Sequence, residues 1–228
     1  MKIWLLPLSL GLIAIISGNL TFFLAFNDGF IEGCIPYFQG CSSISKAGRE
    51  GLGAIIFKLT IMPVMTLISI YWMISYIVIK KFLVIFSKKN KYMLVSGITG
   101  SLFGILYTAF LGSEGETYQF LRRFGIYLFF LGTYSAQIIE VIQLKSIYKP
   151  KTINAFEAMK LLTLLVGLII LISIPFYGLI ENDDWLENVL EWNITFLIFS
   201  YFILSSLVWK KISIQVKASN NHLERGRP

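Results

Sequence analysis

The sequence predicts an all-α fold: a polytopic membrane protein built as a six-transmembrane-helix bundle. Three observations predict it. The chain has 228 residues, 56% of them hydrophobic and 14% charged, with a mean hydropathy of +0.71. A soluble domain has about a quarter of its residues charged, so lipid must be the solvent for much of this chain. Six stretches supply the roughly twenty apolar residues that a helix needs to cross the hydrocarbon. The charge of the segments between them alternates in sign at every crossing, as the concentration of Lys and Arg on cytoplasmic loops requires.

The first span runs about Ile3–Phe26. Lys2 before it also permits a signal peptide, but the run is longer than a signal core and no small-residue cleavage site follows. The second span is about Gly51–Ile79, with Pro63 expected to kink it. The third is about Tyr92–Leu111 and the fourth about Phe120–Ile142. The fifth is about Ala158–Ile180, with Pro175 near its end, and the sixth about Trp192–Trp209. None alternates apolar with polar over about ten residues, as barrel strands do. One transmembrane domain over 1–212 and a cytoplasmic tail over 213–228 account for the chain, with no internal repeat.

Charge gives the direction. The segment between spans two and three carries Lys80, Lys81, Lys88, Lys89 and Lys91. The segment between spans four and five carries Lys145, Lys149, Lys151 and Lys160, and the tail carries Lys210, Lys211, Lys217, Arg225 and Arg227. The other three loops are acidic or mixed, with Asp28, Glu32, Glu50, Glu114, Glu116, Glu181, Asp183, Asp184, Glu187 and Glu191. Both termini are therefore expected in the cytoplasm. The net charge of +7 belongs to this asymmetry. A nucleic-acid partner is excluded, because the groove-facing basic surface it needs is absent. The Ile- and Lys-rich composition and brief loops point to a bacterial inner membrane rather than a eukaryotic endomembrane.

Cys34 and Cys41 are the only cysteines, and both fall in the first exoplasmic loop. That side is oxidising, which favours a disulfide between them over two free thiols. No metal site is expected, since zinc wants four ligands and the one histidine, His222, is in the tail. No cofactor is implied.

Within the spans, Asn19 and Gln137 are expected to bond between helices. Lys58 is expected to snorkel outward, and Glu140 to pair with a lysine near the cytoplasmic end of span four. The exoplasmic rim is richer. Ser43 and Ser45 lead into span two with Arg49, and Ser45 is the expected N-cap there. Glu116, Arg122 and Arg123 open span four, and Glu191 with Trp192 opens span six. Arg49, Arg122 and Arg123 are expected to meet Glu116, Glu187 or Glu191 in a half-buried ionic cluster. Such a cluster reads either as helix-end ion pairs with aromatic anchors or as a polar pocket for a lipid headgroup.

These residues resemble a family. Ser43-Ile44-Ser45 with Gly48-Arg49 and Ile56-Phe57, then Arg123-Phe124-Gly125 with Phe129-Phe130, Gly132 and Tyr134, then Glu191-Trp192, are similar to patches of the Frag1/DRAM/Sfk1 family of six-span membrane proteins. The chain departs from it in having Arg122 and Arg123 where many relatives place a histidine, and Lys46-Ala47 where the common loop has Asp-Thr. The resemblance implies a role in membrane lipid organisation, trafficking or remodelling, and no defined reaction.

Three functions follow. The leading one is non-enzymatic: binding membrane lipids, or another membrane protein, at the rim through Ser43, Ser45, Arg49, Glu116, Arg122, Arg123, Glu191 and Trp192. No catalytic set is expected. The alternatives are a lipid-remodelling enzyme using Ser43 or Ser45 with Glu191 as base, which lacks an activating histidine, and a transporter or channel, which lacks paired broken helices.

Overall fold

The computed structural model describes residues 2–82, 88–147, 154–176 and 183–225. In chain order the helices are α1 (Leu5–Asn27), α2 (Pro36–Gln39), α3 (Ile44–Ala47), α4 (Gly51–Phe82), α5 (Lys88–Phe110), α6 (Glu116–Ile147), α7 (Asn154–Phe176) and α8 (Asp183–Arg225). The described residues contain no strand. Six helices, α1 and α4 to α8, are long and apolar enough to cross a membrane.

The six expected spans are these six helices, but the ends differ. Helix α5 starts at Lys88, α6 runs from Glu116 to Ile147, and α8 starts at Asp183. Hydropathy marks the part of a helix that sits in hydrocarbon, while the backbone ladder continues into the polar zone. Acidic residues at the start of α6 and α8 favour that extension, because carboxylates stabilise helix N-termini. At the other end, α8 continues through the segment expected as a separate tail to Arg225, over a stretch with neither Gly nor Pro to stop it. Helix α4 passes through Pro63 as one helix. The expected fifth-span terminus at Ile180, and Lys149, Lys151, Glu181 and Arg227, lie outside the described residues.

The bundle exposes large apolar side chains and buries polar ones beside its apolar core. Leu131 and Leu171 are 63% and 68% exposed, while Thr133, Gln137 and Glu140 are fully buried. Water would not favour so large an apolar exterior. Lipid outside demands it, since a polar group facing hydrocarbon has no partner there. The chain is an integral, multi-pass membrane protein.

The helices form a ring in chain order. Helix α1 packs on α4, α4 on α5, α5 on α6, α7 on α8, and α8 back on α1. Apolar burial gives no drive between helices in lipid, so close backbone approach has to hold them. The α5–α6 pair shows it. A Cβ on Gly132 would stand 2.7 Å from the Ser96 carbonyl oxygen and 2.8 Å from the Gly100 Cα. Ser17 and Thr60 hydroxyls bond between α1 and α4. The seam of α6 against α7 and α8 is sparse and relies on hydrogen bonds. Tyr134 donates to the Thr163 carbonyl (2.9 Å), and Gln137 donates to the Ile198 carbonyl (3.0 Å), as expected of that glutamine. Tyr71 anchors the centre, stacked on Trp209 at 5.0 Å and edge-on to Phe202 at 5.1 Å.

The α5–α6 approach is testable. Gly132→Leu puts a branched side chain into backbone, and overpacking costs about 1–3 kcal/mol or more, so the unfolding temperature in detergent falls by several degrees. A Cβ on Gly18, inside α1, meets nothing within 4 Å, so Gly18→Ala keeps or slightly raises the wild-type value. Equal unfolding temperatures for wild type and Gly132→Leu contradict this packing.

Candidate functional site

Between α1 and α4 the chain returns across one end of the bundle, and α8 pins it there. Asn188 donates to the Gly40 carbonyl (2.8 Å), Trp192 to the Ser42 carbonyl (2.9 Å) and Asn193 to the Tyr37 carbonyl (2.8 Å). Glu191 Oε1 accepts from the Ser45 backbone N–H at 3.1 Å. Asn188 and Trp192 are one helical turn apart and so reach the loop from the same side. Gly40 takes a left-handed φ of +56°, and a Cβ there would stand 2.6 Å from the Trp185 carbonyl oxygen. Only glycine meets both demands. Trp192 is buried edge-on between Phe22 at 5.5 Å and Tyr37 at 5.2 Å. Asn19 makes its expected bond outside its own helix, to the Tyr37 hydroxyl at 2.9 Å. Burial raises the Tyr37 pKa above its ordinary value against the opposing pull of Asn19, so the phenol stays neutral. The Cys34–Cys41 disulfide closes the loop around α2, with the Cα atoms 6.4 Å apart.

Ser45 is not the N-cap of the second span. Residues 44–47 form their own turn, α3, and Ser43 caps it by accepting the Lys46 N–H at 2.9 Å. Ser45 sits inside that turn, its hydroxyl 3.0 Å from that of Ser43. Helix α4 begins separately at Gly51, whose φ is +64°.

A cavity of about 670 Å³ opens beside this loop. Of the sequence-predicted residues, Ser43, Arg49, Arg122, Arg123 and Glu191 line it, together with Glu187. Lys46, Glu32 and Asp184 complete its charged wall. Glu116 stands apart, exposed at the first turn of α6, and Trp192 lies in the packing beneath. The expected ionic cluster does not close. None of Arg49, Arg122, Arg123, Glu116, Glu187 and Glu191 forms an ion pair among the described residues. The arginines therefore crowd one another: Arg122 has Arg49 and Arg123 as charged neighbours.

Below the polar cavity lies a small apolar chamber of about 40 Å³ among α1, α4, α5, α6 and α8. Ile61, Met65, Phe129 and Phe199 line it, and Glu191 lines both spaces. Tyr107 also lines the chamber, and its buried hydroxyl has no hydrogen-bond partner among the described residues. Its charged neighbours are Glu191, Arg122 and Arg49. Glu191 is thus the residue common to a wide charged cavity and a small apolar one.

No family model, curated protein or solved structure matches the chain.

Glu140 does not pair with a lysine. It is fully buried and accepts from Tyr71 (2.6 Å), Tyr201 (2.7 Å) and Ser75 (2.5 Å), while Ser205 bonds Tyr71 at 2.8 Å. Lys145 lies five residues on, roughly 140° around the helix at 3.6 residues per turn, and it is exposed. The readable signal was on the partners: Tyr71 with Ser75, and Tyr201 with Ser205, are hydroxyl pairs one turn apart inside apolar spans.

Removing that acceptor tests the network. Glu140→Ala takes the shared acceptor from three buried hydroxyls. Tyr71 keeps Ser205 and Tyr201 keeps the Gln137 carbonyl, while Ser75 loses its partner. At about 1–3 kcal/mol for an unsatisfied buried group, the purified protein unfolds several degrees lower. Glu140→Gln keeps an acceptor oxygen and falls between. A Glu140→Ala protein as stable as wild type contradicts the network.

Proposed function

We propose that this protein binds a membrane lipid at the charged cavity and acts in lipid organisation without catalysing a reaction. One observation carries the reading. A polar cavity whose arginines have no ion-pair partner among the described residues shares Glu191 with a small apolar chamber that holds an unsatisfied Tyr107 hydroxyl. That sequence of surfaces fits an amphiphile, with the headgroup among charges and part of a chain below. Arginine suits such a headgroup because its planar fork pairs with phosphate oxygens through two parallel bonds.

The charge pattern supports placing this cavity at the exoplasmic leaflet. The lysines of the α4, α5, α6 and α8 ends away from it mark the cytoplasmic side, with both termini there. A disulfide beside the cavity accords with an oxidising compartment. A bacterial inner membrane remains the preferred setting on composition. The similarity to the Frag1/DRAM/Sfk1 family belongs to this reading too, since its three patches include Ser43, Arg49, Arg123 and Glu191.

Two features weigh against the enzymatic alternative. The Ser43 hydroxyl is committed to capping α3, and Glu191 takes a backbone N–H of Ser45 rather than a serine hydroxyl. A serine nucleophile needs a base within hydrogen-bond reach of its own oxygen.

Native mass spectrometry of the protein purified from its own membrane tests the proposal. Wild type retains a lipid adduct. The double variant Arg122→Gln/Arg123→Gln, folded by thermal unfolding, retains at least tenfold less, since bonds to a charged headgroup contribute about 1.5–3 kcal/mol each. Wild type without any lipid, or a variant that keeps as much, refutes it.

A further inference from the structure

The cavity's charges are of both signs and lie on different walls, which narrows the kind of headgroup. This inference rests on the lipid-binding reading above. The basic wall is built by α6 and by Lys46 and Arg49, at and just after α3. Arg122 and Arg123 project from the second turn of α6. Arg49 sits against the α5–α6 turn, where its carbonyl oxygen would lie 2.6 Å from a Cβ on Gly112. Lys46 stands one turn of chain before it on α3. The acidic wall belongs to α8 and the loop pinned to it. Asp184, Glu187 and Glu191 lie on the first turns of α8, and Glu32 lies in the segment that the Asn188–Gly40 bond holds there. Contacts between α6 and α8 are sparse, and across the cavity Glu191 has Arg49 as a charged neighbour without closing an ion pair with it.

Four cationic and four acidic side chains line the space, and none of them closes an ion pair with another among the described residues. A purely anionic headgroup gains from one wall and is repelled by the other. A purely cationic one meets the reverse. A group carrying both charges a few bonds apart gains from each. The basic wall supplies guanidinium forks, which pair with phosphate oxygens. The acidic wall supplies carboxylate oxygens, which only accept, so the cationic end has to donate N–H. A quaternary ammonium cannot.

We infer that the cavity selects a zwitterionic phosphate ester bearing a primary ammonium, the headgroup chemistry of an aminophospholipid. The phosphate lies towards Arg49, Arg122 and Arg123, and the ammonium towards Asp184 and Glu187. The volume of about 670 Å³ is within the range of roughly 300–1,000 Å³ typical of small-molecule sites. The small apolar chamber that shares Glu191 with the cavity favours a lipid over a free zwitterion of the same chemistry.

The test uses the full-length protein in nanodiscs of a neutral host lipid and titrates in phosphatidylethanolamine or phosphatidylglycerol, reading bound lipid by native mass spectrometry. Phosphatidylethanolamine binds at least tenfold more tightly than phosphatidylglycerol. Glu187→Gln, an exposed position, removes most of that preference while leaving phosphatidylglycerol binding equal or stronger, and Asp184→Asn does the same. Arg123→Gln weakens both lipids. Equal binding of the two lipids by wild type overturns the zwitterion inference and leaves lipid binding intact. Failure of both lipids to bind overturns the two together. Free phosphoethanolamine competing at the same concentration as the lipid upholds the zwitterion and overturns the lipid source.

Discussion

Four hydrogen bonds from one stretch of α8 to the returning loop hold the cavity end of this molecule. Asn188, Glu191, Trp192 and Asn193 each bond loop backbone, at Gly40, Ser45, Ser42 and Tyr37. Near a membrane such groups have few other partners, and an unpaired buried carbonyl costs about 1–3 kcal/mol. The loop is therefore tied at four points across nine residues, from Tyr37 to Ser45. The disulfide and the Gly40 bend make that path short enough to follow. Once the loop is fixed, α3 has its place, Lys46 and Arg49 face α6, and the cavity has two walls.

Two acids in the bundle show opposite solutions to the same cost. Glu140 is surrounded by three hydroxyl donors from α4 and α8, and joins helices that otherwise touch little. Its bonding is complete, which suits a structural tie at the weak seam. Glu191 accepts one backbone N–H and otherwise borders open space above and below. Nearby, Arg122 is repelled by Arg49 and Arg123, a cost that a purely structural rim would avoid by closing ion pairs. Proteins carry such local costs at sites whose charges are completed by something else.

Much of the fold could be read from the chain. Spans were legible because lipid imposes one strong rule, an unbroken apolar length, and six helices follow it. Their ends were less so, because Lys88 and Asp183 are polar yet helical, and hydropathy ignores backbone bonding. Ser43, Arg49, Arg122, Arg123 and Glu191 were legible as a group, since alternating loop charge put them on one side. Their pairing was not, because side-chain distance depends on the α6–α8 separation, which no local pattern encodes. The same holds for Glu140: its partners lie 69, 65 and 61 residues away. Ser45 was mistaken for a cap because α3 and α4 read as one run until Gly51 separates them.

Amide hydrogen exchange of the loop tests the central claim, that α8 holds residues 37–48 as a fixed wall. The amides of Ser45, Lys46, Ala47 and Gly48 are each bonded, so in the nanodisc-bound wild type they exchange slowly. An Asn188→Ala/Asn193→Ala protein, cut loose at two of the four points, exchanges them at least tenfold faster while the α5 and α6 amides keep their protection. Fast exchange of this segment in the wild type, at the rate of an unstructured loop, would contradict the account.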